Sequence, residues 1–185
     1  MPPLLVTSKL IAAGRGLAPA LLRRAPTLAL DWDTRQKSRF EAVDSSGRRI
    51  GVFLPRGAFV RGGDVLVAED GSLIVVAALA QAVLVVTAAP ASREPRLDLL
   101  RAAYHLGNRH VPLEVHADRL ILEADHVLAA LLARMGLEVA ATSVPFEPEA
   151  GAYDAAATGA HAHAHASEAH AHGLGDHDAP HEAAR

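Results

Sequence analysis

Gln81-Ala-Val-Leu-Val-Val-Thr87 opens the stretch whose reading decides the fold. Ala82–Thr87 is a continuous apolar run, the pattern of a strand covered on both faces or of a buried helix. Its short length and β-branched content favour a strand. Helical spacing follows from Pro95 to about Asn108, with Leu97, Leu100, Ala103 and Tyr104 on one stripe. Val111–His116 and Arg119–Glu123 then read as strands around Ala117-Asp118. Asp125 is placed to cap an amphipathic helix, Val127 to Met135, that stops at Gly136. A last strand runs from Leu137 to about Ser143. The order β-α-β-β-α-β is the split βαβ, or ferredoxin-like, arrangement.

Upstream the texture is different. Candidate strands Thr27–Trp32, Arg39–Val43, Arg49–Leu54, Asp64–Ala68 and Leu73–Ala78 are separated by Ser45-Ser46-Gly47, Pro55-Arg56-Gly57, Arg61-Gly62-Gly63 and Glu69-Asp70-Gly71. Strands and turns this closely spaced predict a small all-β barrel or sandwich. Asp33, Arg35, Lys37 and Arg39 alternate with Trp32, Thr34, Gln36, Ser38 and Phe40. In an extended chain that period would set three cations on one face, which reads first as an ordinary solvated strand face and second as a docking surface for an acidic partner. The fold expected is therefore α+β: an all-β domain over residues 1–79, a ferredoxin-like domain over 80–153, to which the family resemblance described below assigns metal binding, and a tail over 154–185.

That tail carries seven of the eleven histidines: His161, His163, His165, His170, His172, His177 and His181. Apart from Leu174 it lacks large apolar residues, so burial cannot offset the entropy of ordering it and disorder is expected. The plain alternatives are an engineered tag, which irregular interruption by Ala, Ser, Glu, Gly and Asp argues against, and a solvated tail of no function. Neutral imidazole is a common metal ligand, and short His-rich tracts read as metal-binding.

Composition narrows the chemistry. There is no cysteine, which excludes disulfides and thiolate metal sites and disfavours copper(I) and iron–sulfur clusters. Imidazole with carboxylate or water suits nickel, zinc, copper(II) or cobalt. A net charge of -3 gives no basic footprint for nucleic acid. Met1-Pro-Pro lacks the basic leader of a signal peptide, and Lys9, Arg15, Arg23 and Arg24 interrupt the apolar amino terminus. No unbroken run reaches the roughly eighteen apolar residues of a membrane span. A soluble, cytoplasmic protein is expected.

Three blocks then carry a resemblance: Tyr104-His-Leu-Gly-Asn-Arg-His110 leading into Val111-Pro-Leu, the helix start Asp125-His126-Val-Leu, and Pro145-Phe-Glu-Pro-Glu-Ala-Gly-Ala-Tyr153 ahead of the histidines. Together, and in this order, they resemble the UreE family of urease accessory proteins, which are nickel metallochaperones. Lys37-Ser38-Arg39 and Gly63-Asp64-Val-Leu fit the first domain of that family. The resemblance implies a homodimer with a first domain similar to the peptide-binding modules of J-domain co-chaperones. It implies that two copies of His110 share one Ni2+ at the dimer interface and that His126 is an auxiliary ligand. Cu2+ or Zn2+ can bind the same imidazoles. The implied partners are the urease apoenzyme and its accessory GTPase. Where many members carry histidine before Asp-His, this chain has Glu123-Ala124, which shifts peripheral binding toward the tail. For His105 and His116 ordinary hydrogen bonding or packing is the expected role.

Two other classes compete with a carrier. A metal hydrolase would need a water-bearing ion beside an acid or base, and His-Glu-x-x-His is absent from the sequence. The sequence also lacks a Gly-x-x-x-x-Gly-Lys loop, so it gives no sign of GTP hydrolysis. No enzymatic activity is expected. A passive nickel or zinc store is the closer rival, because the tail alone would serve it.

Overall fold

A computed structural model describes residues 3–150. The expected tail and all seven of its histidines lie outside the described residues. The first half of the chain forms one six-stranded mixed sheet from β1 (Leu4–Ile11), β2 (Thr27–Leu30), β3 (Arg39–Val43), β4 (Arg49–Phe53), β5 (Val65–Ala68) and β6 (Leu73–Ala78). Their spatial order is β2-β6-β5-β1-β4-β3. Strand β1, which the turn-and-strand pattern did not announce, lies inside the sheet, parallel to β4 and antiparallel to β5. Its register slips between Thr7 and Lys9, so its apolar residues do not alternate cleanly. Leu28, Ile50, Val52, Val60, Leu66 and Ile74 are fully buried in the core of this half.

Two short helices interrupt the β pattern, α1 (Pro19–Leu22) and α2 (Trp32–Arg35). The second overturns the expected cationic face. The Asp31 carboxylate accepts the Thr34 N–H at 2.8 Å and starts a helical turn, which also ends β2 at Leu30. That hydrogen bonding holds the Asp31 carboxyl below its usual pKa. Arg35 is thereby turned inward and fully buried, while Lys37 and Arg39 stay exposed. Three cations on one strand face do not exist here. Asp64 likewise leaves β5, because its two oxygens accept the Ala13 and Arg61 N–H groups, each at 2.8 Å, to hold a turn.

The second half is the expected split βαβ. Strands β7 (Ala80–Ala88), β8 (Glu114–Val115), β9 (Leu120–Glu123) and β10 (Leu137–Pro145) form an antiparallel sheet in the order β10-β7-β9-β8. Two helices, α3 (Pro95–Gly107) and α4 (His126–Arg134), supply the crossovers. Leu84 and Val86 of β7 pack with Leu120, Leu122 and the helices, whereas Val83 packs on the opposite face with Ile121. Burial on both faces explains why β7 reads as an unbroken apolar run. Strand β8 is only two residues long, much shorter than Val111–His116. In α3 the core side is Leu99, Ala102 and Leu106. The stripe singled out by spacing faces outward instead, with Leu100 and Tyr104 each 66% exposed. No helix among the described residues is long and apolar enough to cross a membrane.

The two sheets meet at a third apolar cluster formed by Trp32, Val83, Ile121 and Phe146. Trp32 stands edge to face with Phe59 at 6.5 Å and Phe146 at 6.2 Å between centroids. The guanidiniums of Arg35 and Arg61 each lie 5.2 Å from the Trp32 ring centre, within cation–π range. Arg35 donates to the carbonyls of Leu30 and Phe146 and pairs with Glu147. Desolvation lowers the Arg35 pKa, and the Glu147 charge opposes that shift. This seam joins residues more than a hundred positions apart in the chain.

Candidate metal centre

His110 lies at the end of α3, and the backbone there explains its setting. Val111 N–H reaches back to the Leu106 carbonyl at 3.2 Å, and His110 N–H to that of Gly107 at 2.9 Å. These two bonds form a Schellman motif, which requires a left-handed residue between the helix and the chain that leaves it. His110 is that residue, with φ of 56°. Glycine is the usual occupant, because a side chain in this conformation costs about 1 kcal/mol or more. Val111 packs beside Leu106 in the core and completes the motif. The imidazole that follows a strained backbone is itself exposed.

His126 is the first residue of α4 and is also exposed. Asp125 caps this helix through one oxygen, which accepts the N–H groups of Val127 at 2.7 Å and Leu128 at 2.8 Å. The positive end of the helix dipole works against a cation at His126, and the Asp125 charge offsets it. His116 has a partner already, since its Nε2 lies 3.1 Å from Glu114 Oε2. His105 is exposed and stands edge-on to the Tyr104 ring, with centroids 5.4 Å apart.

No three His, Asp or Glu side chains converge on a common point among the described residues. Single imidazoles on the surface can each donate one nitrogen, so a firmly held ion would need ligands from elsewhere. Phe146 and Glu147 belong to the seam with Trp32, Arg35 and Arg61. Sequence reasoning missed that role. Asp31 three residues before Thr34 is a helix-cap signature, and it was the available sign that Arg35 leaves the strand.

The two-part architecture agrees with known proteins. Residues 8–79 match the family model described as UreE urease accessory protein, N-terminal domain, and residues 81–177 match its C-terminal domain. The class is thus that of the urease accessory proteins. A urease accessory protein UreE of Methylibium petroleiphilum is 64% identical over 154 residues, covering 83% of this chain and 70% of the relative. Another from Albidiferax ferrireducens is 63% identical over 158 residues, covering 85% and 88%. The chain belongs to the UreE family.

Proposed function

We propose that this protein is a nickel carrier of the cytoplasm that delivers Ni2+ to apo-urease while the nickel metallocentre is assembled. Membership of the urease accessory proteins supports a role in urease maturation. The carrying observation is an exposed imidazole, His110, kept at a left-handed position that glycine would fill more cheaply. Strain retained at one surface histidine favours a task for its ring. In this reading two His110 rings meet across a two-fold axis and share one ion, as a symmetric dimer requires. The outward stripe of α3, with Leu97, Leu100 and Tyr104 leading toward His110, supports such a contact.

Residues 1–79 would then serve docking, 80–153 would hold the shared ion, and 154–185 would recapture it. Two protein nitrogens leave the remaining coordination positions to water or the tail, and an open site can release its metal. Tail imidazoles from His161 to His181 act as tethered ligands at an effective concentration of roughly millimolar. His126 is an auxiliary donor. Copper(II) outranks nickel at such nitrogens, so cargo choice rests with supply and partners, the urease apoenzyme and its accessory GTPase.

Competitive Ni2+ titration of the full chain, with mass measurement of the oligomer, tests this. His110→Ala should lose the shared ion and urease activation while keeping its fold. Unchanged activation by that variant would refute the role. The tail's seven histidines also favour a storage reading. Removal of residues 154–185 separates the two, because a carrier still activates urease when nickel is plentiful and a store does not.

A further inference from the structure

We infer that Glu147 is a positioning residue, the bolt of a latch that fixes the first sheet against the segment that follows His110. Its carboxylate sits in a cradle supplied wholly by the first half of the chain. Oε1 pairs with Arg35 and accepts the Gly62 N–H at 2.7 Å, and Oε2 lies 3.6 Å from Arg61. Arg61 also donates to the Pro148 carbonyl. The cradle is shaped for this approach, since a Cβ on Gly62 would lie 2.7 Å from Oε1. On its other side the same strap is tied to the second domain. Glu147 N–H is held by the Glu114 carboxylate, and Glu149 N–H by the Leu113 carbonyl at 2.7 Å. Leu113 is three residues beyond His110, which bounds their separation at about 11 Å. One strap therefore ties the docking half to the backbone that carries the metal-site imidazole.

The consequence for function rests on the carrier reading given above. A partner that grips the first domain can orient His110 only while the latch is closed. Trp32, the single tryptophan, lies in the seam and reports its state by fluorescence. The experiment compares full-length Glu147→Ala, Glu147→Gln, Gly62→Ala and Glu149→Ala with the parent. Glu147→Ala and Gly62→Ala should red-shift Trp32 emission and increase its quenching by acrylamide. Both should bind Ni2+ with parental stoichiometry yet activate apo-urease more slowly. Glu147→Gln keeps an acceptor for Gly62 N–H and should partly restore both readouts, and Glu149→Ala should change neither. Unaltered Trp32 emission in both Gly62→Ala and Glu147→Ala would remove the latch. Altered emission with parental activation rates would remove its positioning role. Failure of the carrier reading looks different, because Ni2+ stoichiometry would then survive His110→Ala whatever Trp32 reports.

Discussion

The seam around Trp32 and the region of His110 are opposite kinds of place within one fold. At the seam a buried guanidinium has three partners, two phenyl rings stand T-shaped to one indole, and a glycine leaves room for a carboxylate. At His110 the backbone is fixed by two hydrogen bonds, and the ring that follows it is exposed. The seam spends its side chains on holding still. The region of His110 holds its backbone still and leaves an imidazole exposed. The proposed carrier role would use both, a rigid frame and a ligand set that does not close.

Removing Arg35 should do the most damage and so test the rigid half. Arg35→Ala strands the Phe146 carbonyl, takes one of two donors from the Leu30 carbonyl, which keeps the Leu79 N–H, and leaves Glu147 without its buried partner. Losing one member of a buried pair costs about 3–5 kcal/mol, and the lower end applies because the Glu147 side chain keeps 34% of its surface in water. A calorimetric Tm lower by roughly 6–12 °C is expected, and a change below a couple of degrees would show that the seam is not a stability centre. Asp125→Ala removes the cap of α4 and should cost about 1 kcal/mol, read as a Tm fall of a few degrees.

His110→Gly sharpens the contrast, because it should move stability and function in opposite directions. Relief of left-handed strain is worth about 1 kcal/mol, partly offset by the greater entropy of unfolded glycine. Denaturant midpoints at or above the parent's, together with loss of the Ni2+ that the proposed function assigns to His110, are expected. A clearly lower midpoint would mean that the ring makes stabilising contacts. The smallest effect belongs to Glu123, which accepts from Gln81 Nε2 at 2.8 Å beside the seam. Burial raises its pKa, with Asp33 and Asp31 adding to the shift. A carboxyl raised in the folded state contributes stability below its unfolded value, and that contribution is lost as pH rises through the folded one. Glu123→Gln should therefore stabilise near pH 7 and be neutral below about pH 4. A benefit that persists at low pH would contradict the burial account.

The ferredoxin-like half was legible because its periods are clean. The β7 run, the Asp125 cap and the Gly136 stop each have one physical meaning, and the strands and helices fall within a few residues of expectation. The first half was harder. Strand β1 hides behind a register slip, and α2 hides inside an alternation of charge that suits a strand equally well until Asp31 is counted as a cap. Spacing on α3 found a real apolar stripe, but Leu99, Ala102 and Leu106 form a second one, and sequence alone cannot say which meets the core. The left-handed backbone of His110 carried no mark at all, since glycine is the residue that advertises that conformation.

Strand β1 has a consequence for synthesis. It is translated before both of its neighbours, β4 and β5, which span Arg49–Phe53 and Val65–Ala68. Its apolar residues must wait, unpaired, while some sixty further positions are translated, a delay in which nascent strands are exposed to misassociation. Trimming the first eleven residues would leave β4 and β5 with bare flanks in mid-sheet, an invitation to strand exchange between molecules.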